Sequence, residues 1–238
     1  MKIGVLIEAR STSSRLPGKC FEEVGHGLSL IQMVYQRCWT AVVSKKPYVI
    51  TPHQDTVLMD YCKEHKLNCL DAPGWCRPGD LMQELYYAMT ALQLDAAIEV
   101  TGDCPFVQPK HIEEVAKGLE SGKEFYAVLG PSGFEVRGVT KEALSQALDL
   151  MDDYRRNGTT IFYRLAEWDS EIRWEGPTKS RKYSIDTRED LEFVRRIYEE
   201  VAWKAEIADV LACGEAIGSM SSPTSDPTTP ESSPSPST

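Results

Sequence analysis

Apolar positions along the chain follow two alternating rhythms. Ile3-Gly-Val-Leu-Ile7 is a short unbroken apolar run, which predicts a strand covered on both faces. From Leu28 to Val43 apolar residues return at helical spacing, at Leu30, Met33, Val34, Cys38 and Ala41. The same reading gives a strand over Pro47–Thr51, a helix over Thr56–His65, a brief strand over Leu67–Leu70 and a helix over Asp80–Leu92. A strand over Ala96–Val100 and a helix over Pro109–Leu119 follow, the latter with proline in its first turn, where a missing N–H costs nothing. This order predicts an α/β fold with a mostly parallel sheet between layers of helices.

Beyond Phe125 the rhythm is less regular. Strands are expected over Phe134–Val139 and Glu171–Trp174, with helices over Lys141–Leu150 and Thr159–Trp168 between them. Tyr183-Ser-Ile-Asp186 reads as the end of a short strand, and Thr187 with Asp190 has the spacing of a capping box that opens a last helix. From Ser219 to Thr238, 17 of 20 residues are Ser, Thr or Pro, too little apolar surface to offset the entropy of ordering. One domain over residues 1–217 and a disordered tail over 218–238 are therefore expected.

Charge narrows the function classes. With 26 basic and 36 acidic side chains the net charge is −10, which argues against a general nucleic-acid binder. No apolar run approaches the roughly 20 residues of a membrane span, and no leader pattern opens the chain. Seven cysteines, an odd count without a CxxC pair, read as reduced thiols in a cytoplasmic protein. Cys62, His65, Cys69 and Cys76 are close in sequence, but only Cys62 and His65 form a tight pair, so ordinary thiols are preferred over zinc.

Against this acidic background one loop is locally basic. Ala9-Arg10-Ser-Thr-Ser-Ser14-Arg15-Leu-Pro-Gly-Lys19 places three cations and a run of hydroxyls at the carboxyl end of the first strand, where open α/β sheets gather ligands. Arginine forks and a lysine point charge suit a polyphosphate; neither GxxxxGK[ST] nor GxGxxG is present. Glu99-Val-Thr-Gly102-Asp103-Cys-Pro105 puts a carboxylate at a second strand end, with Gly102 leaving room for a ligand to approach. Asp186, just before the capping box, supplies another carboxylate. Two aspartates facing a phosphate loop are what a shared Mg²⁺ requires.

Three motifs together carry a resemblance: Ile7-Glu-Ala-Arg10-x4-Arg15-Leu-Pro-Gly-Lys19, Val100-Thr-Gly-Asp103-Cys-Pro105, and Ile185-Asp186-Thr-x-Glu-Asp-Leu191. In their order and separation the chain resembles the cytidylyltransferases of the 3-deoxy-manno-octulosonate and acylneuraminate type, nearest the spore-coat polysaccharide F branch. The resemblance implies a three-layer α/β/α nucleotide-diphosphosugar transferase-like fold with a mostly parallel mixed sheet. It implies transfer of CMP from CTP to an acidic sugar, with release of pyrophosphate. The triphosphate cradle maps onto Ala9, Arg10, Ser14, Arg15, Lys19 and Gly102, with Arg10, Arg15, Lys19 and Asp103 catalytic. Asp103 and Asp186 map onto the Mg²⁺ ligands, and Glu135 and Arg137 onto the acceptor side; relatives pair as homodimers. Departures are Glu8 where Gln or Pro is common, Glu84 in place of an arginine, and no histidine near Asn157-Gly158-Thr159. Two rival readings follow: a glycosyltransferase of the same fold, for which no DxD pair is present, and a non-catalytic nucleotide-binding protein.

Overall fold

The computed structural model describes residues 1–43, 46–77, 79–150, 169–177 and 181–220. Seven strands form one sheet: β1 (Ile3–Glu8), β4 (Tyr48–Thr51), β5 (Cys69–Asp71), β6 (Ala96–Thr101), β7 (Phe125–Leu129), β8 (Val136–Thr140) and β9 (Ser170–Trp174). Their order across the sheet is β5-β4-β1-β6-β8-β7-β9. Only β8 runs against its neighbours; β1 lies parallel to β4 and β6, and β7 parallel to β9. A separate small hairpin joins β2 (Glu23–Gly25) and β3 (Leu28–Ser29).

Side-chain alternation along the strands builds two cores. Val5 and Ile7 of β1 and Ile98 and Val100 of β6 face one layer, and Leu6 and Ala97 face the other. The first layer holds α1 (Leu30–Trp39), α2 (Thr56–Glu64), α4 (Pro109–Glu120), α6 (Arg188–Glu200) and α7 (Ile207–Met220). The second holds α3 (Leu81–Ala91) and α5 (Lys141–Leu150). Helix α4 shows the logic: Ile112, Val115, Ala116 and Leu119 recur at three- and four-residue steps and are all buried. Gly138 of β8 lets that helix lie close, since a Cβ there would meet Val115 Cγ1 at 2.4 Å.

Several elements depart from the sequence reading. The helix expected over Leu28–Val43 is shorter: Leu28 and Ser29 pair with β2, Ser29 caps α1 in a capping box with Gln32, and the helix ends at Trp39. Strand β7 is an addition to the sequence reading, although Phe125-Tyr-Ala-Val-Leu129 is the same kind of unbroken apolar run that marks β1. Tyr183–Asp186 is not a strand; it is held by single bonds, Tyr183 N–H to Ser132 O at 2.7 Å and Ile185 N–H to Asp103 O at 2.9 Å. The capping box at Thr187 and Asp190 is present, but α6 is not the last helix. Helix α7 follows it and packs Gly214 against the Tyr183 ring, where a Cβ would come within 2.6 Å of the hydroxyl. The helix expected over Thr159–Trp168 lies outside the described residues, as does the tail from residue 221. Trp75 and Trp174 are exposed.

One buried cation ties the C-terminal segment to the body. Arg37 of α1, 1% exposed, donates through Nε to Val107 O at 2.7 Å, through Nη2 to Ala205 O at 3.0 Å, and through Nη1 to Trp203 O. Among the described residues no helix is long and apolar enough to cross a membrane.

Candidate active site

The basic loop is shaped by three anchors. Ala9 N–H donates to Ile50 O at 3.1 Å, fixing the chain as it leaves β1. Ser11 donates through both its N–H and its hydroxyl to Asp55, each at 2.6 Å, and Asp55 also caps α2 by accepting from Leu58 N–H at 3.2 Å. Gly18 then turns back, its N–H on Ser11 O at 2.9 Å and its φ at +71°, a conformation that disfavours any side chain. Leu16 is buried beneath the loop and Cys20 beneath the short 3₁₀ turn Lys19–Phe21. Lys19 is thereby aimed inward, while Arg10, Ser14 and Arg15 stay exposed.

The Lys19 ammonium brings the distant motifs together. Its Nζ donates to Asp103 Oδ2 at 2.8 Å, to Asp186 Oδ1 at 3.2 Å and to Ile185 O at 2.6 Å. Arg15 Nη2 lies 2.8 Å from the same Asp186 oxygen, and Lys182 Nζ lies 2.6 Å from the other. Lys182 also reaches Asp190 Oδ2 at 3.0 Å, the atom that accepts the Asp186 and Thr187 backbone N–H groups. Three carboxylates thus meet three cations. Lys182 and Lys19 hold the Asp186 carboxyl below its ordinary range despite partial burial, and Lys182 with the two backbone donors does the same for Asp190.

Of these groups Arg15, Lys19, Asp103 and Asp186 line a cavity of about 300 Å³, and Lys182 and Asp190 stand behind Asp186. Pro52, Gly79 and Leu81 also line it, together with two glutamates, Glu8 at the end of β1 and Glu84 in the first turn of α3. Glu84 is 3% exposed and accepts a backbone N–H from Gly79; burial pushes its carboxyl up to about 7. Glu8 is raised well above its ordinary value, first by burial and then by the negative charges of Glu99, Glu84 and Asp103. The cation acting on both is Arg10.

A sequence profile of the cytidylyltransferase family matches residues 4–211, an interval that contains every group just described. The chain belongs to the cytidylyltransferase family. It is 23% identical over 218 residues to the spore coat polysaccharide biosynthesis protein SpsF of Bacillus subtilis, covering 85% of this chain and 89% of that protein. It is 31% identical over 121 residues to the 3-deoxy-manno-octulosonate cytidylyltransferase of Saccharophagus degradans, a match spanning 50% of this chain and 46% of the relative. Among solved structures, a cytidylyltransferase from Leptospira borgpetersenii superposes with a TM-score of 0.80 at 18% identity, over 95% of this chain and 99% of that one. CMP:2-keto-3-deoxy-manno-octonic acid synthetase complexed with CTP gives 0.66 at 16%, over 84% and 99%. At these identities the superpositions speak for the fold.

Most of the residues that the sequence singles out come together at this one cavity. Ala9, Arg10, Ser14, Arg15, Lys19, Gly102, Asp103 and Asp186 all line the cavity. Gly102 is needed for a different reason than ligand approach: a Cβ there would lie 2.6 Å from Glu8 O and 2.9 Å from Ala9 Cβ, so it lets the exits of β1 and β6 touch. Glu135 and Arg137 do not line this cavity. Glu135 accepts from Gly133 N–H at 2.7 Å. Arg137, opposite Glu99 in the antiparallel β6–β8 register, is partly buried and ends on the Glu99 carboxylate at 3.3 Å. As placed, both side chains hold the fold together.

Lys182, Asp190 and Asp55 contribute to the site without having been singled out for it. Asp55 and Asp190 were legible only as helix-capping types, and Lys182 carries no local signal at all. Among the described residues no group of three or more His, Cys, Asp or Glu could hold a metal by itself, and all seven cysteines are unpaired. Glu114 is held in an ion pair by Arg173 Nη2 at 2.6 Å.

Proposed function

We propose that this cytidylyltransferase-family protein transfers the CMP group of CTP to the hydroxyl of an acidic sugar, releasing pyrophosphate, in the assembly of a surface polysaccharide. The observation that carries the reading is the convergence of Lys19, Arg15, Asp103 and Asp186 on one cavity. An acceptor oxygen attacks the α-phosphorus in line, the bond from that phosphorus to the β-phosphate oxygen breaks, and the acceptor's proton passes to solvent. Arg10 and Arg15, exposed beside the cavity, bind the β- and γ-phosphates and offset the charge that grows on the leaving pyrophosphate. The loop hydroxyls and the Gly18 turn hold those cations in register, so much of the rate gain comes from positioning.

Asp103 and Asp186 suit a divalent ion. Their oxygens already converge on one cationic nitrogen, and hard carboxylate ligands shared with substrate phosphates are the usual Mg²⁺ arrangement. When bound there, Mg²⁺ would polarise the α-phosphate. The acidic-sugar class is supported by the likeness to 3-deoxy-manno-octulosonate cytidylyltransferases, and the polysaccharide role by the likeness to the Bacillus spore coat polysaccharide protein.

The test is pyrophosphate release with each of the four nucleoside triphosphates, Mg²⁺ and a panel of acidic sugars. Release is expected with CTP and is expected to collapse in Asp103→Asn. An enzyme silent with every sugar, or Asp103→Asn at full activity, would overturn the reading.

A further inference from the structure

An ammonium group has three N–H donors, and all three of Lys19 are spent within the protein, on Asp103, Asp186 and the Ile185 carbonyl. The side chain is only 14% exposed, in contrast to Arg15 at 63%. So placed, Lys19 has nothing left to offer a phosphate. It also stands at the point between the two aspartates where a bridging cation would sit. We infer that in the nucleotide-free protein Lys19 is a resident cation that excludes a free divalent ion, and that ion and nucleotide enter together, releasing Lys19 to the phosphates. This inference rests on the proposed use of Asp103 and Asp186 as ion ligands.

Charge explains why the exchange needs both components. Asp103, Asp186 and Asp190 are matched one for one by Lys19, Lys182 and Arg15. A divalent ion arriving alone would add uncompensated positive charge and strip Lys19 of its acceptors. An ion–triphosphate complex brings the ion with its own compensating negative charge and supplies new oxygens for the displaced ammonium, so every donor regains a partner. Arg15 can accompany the phosphates by rotation alone, because most of its side chain is already in solvent. Lys182 holds Asp186 through the other carboxylate oxygen and keeps it in place during the exchange.

The experiment is a Mn²⁺ titration of the full nucleotide-free chain, with free ion read by electron paramagnetic resonance and the melting temperature of each protein recorded first. Lys19→Met is expected to bind Mn²⁺ about tenfold more tightly than wild type, since one nearby positive charge is removed. Lys19→Gln makes the same forecast without burying an apolar end, should Lys19→Met fold poorly. Lys19→Arg retains the charge and is expected to match wild type, and Lys19→Met with Asp103→Asn is expected to lose the gain. Mn²⁺ binding unchanged or weakened in both neutral variants overturns the inference, as does a gain that survives Asp103→Asn. Pyrophosphate release by the wild type is scored separately. Release with no change in Mn²⁺ affinity refutes the resident-cation role alone, whereas a silent wild type refutes the transferase reading.

Discussion

Two sets of carboxylates at the cavity are held in opposite states. In one, Asp186 and, behind it, Asp190 in the first turn of α6 are reached by Lys19, Lys182 and Arg15. In the other, Glu8 at a strand end meets the negative charges of Glu99, Glu84 and Asp103, Glu84 in a helix turn meets that of Asp80, and Arg10 is a cationic neighbour of both. Cationic donors hold Asp186 and Asp190 ionised; burial and like charges favour the proton on Glu8 and Glu84. Acidity here is thus set by whether a cationic side chain reaches the carboxylate. Asp190 and Glu84 both stand in the first turn of a helix, and Lys182, 3.0 Å from Asp190, separates their states.

The same isosteric change on a lysine-paired and on a buried carboxylate should act in opposite directions. The largest effect is expected from Asp103→Asn, with pyrophosphate release falling on the order of a hundredfold to a thousandfold while the melting temperature barely moves. Glu84→Gln should instead raise stability, by about 3 kcal/mol at pH 8, as read by urea unfolding. Here the sign follows from a folded-state pKa of about 7 against an ordinary 4.5: the Glu84 contribution is fully present below pH 4.5 and is lost as pH rises through 7. The variant's advantage should therefore shrink towards pH 4.5, and a pH-independent gain would refute the assignment. Glu8 slopes the same way, so the double change with Glu8→Gln should flatten the profile further.

Smaller effects probe the supports. Lys182→Met removes one of the groups that depress Asp186, so its loss of stability should appear above pH 4 and vanish as pH falls through the Asp186 titration. Turnover should fall roughly threefold to tenfold, one charge-assisted hydrogen bond having been lost. The mildest change is Ser11→Ala, which deletes one of two bonds to Asp55 at about 1 kcal/mol. Faster amide exchange over residues 11–19, with α2 unchanged, would confirm that Asp55 pins the loop.

How much of this could be read from the chain differs along its length. The first half repeats strand and helix with a clear change of period, and its elements, apart from the β2–β3 hairpin, lie within a few residues of the reading. The basic loop and Asp103 were legible because each motif is contiguous and sits at a strand end. Beyond Phe125 the reversed strand β8 interrupts the parallel order that orients the reading of the first half. Lys182 meets Asp186 four residues on across irregular backbone, a spacing that implies contact only in a helix. Arg137 carried an acidic-ligand reading that its cross-strand partner Glu99 absorbs. Periodicity sees which face a residue takes; it does not see which charge waits opposite.

The guanidinium of Arg37 bears on any effort to trim this protein. It grips carbonyls at Trp203 and Ala205 from inside α1, so the stretch after α6 works as a plug seated on a buried cation. A version cut after Val201 would strip that cation of two of its three carbonyls, leaving Val107 O and the Tyr198 hydroxyl, a penalty of several kcal/mol for a poorly compensated charge. The shortest chain worth expressing must therefore run past Ala205, whatever becomes of the serine- and proline-rich end.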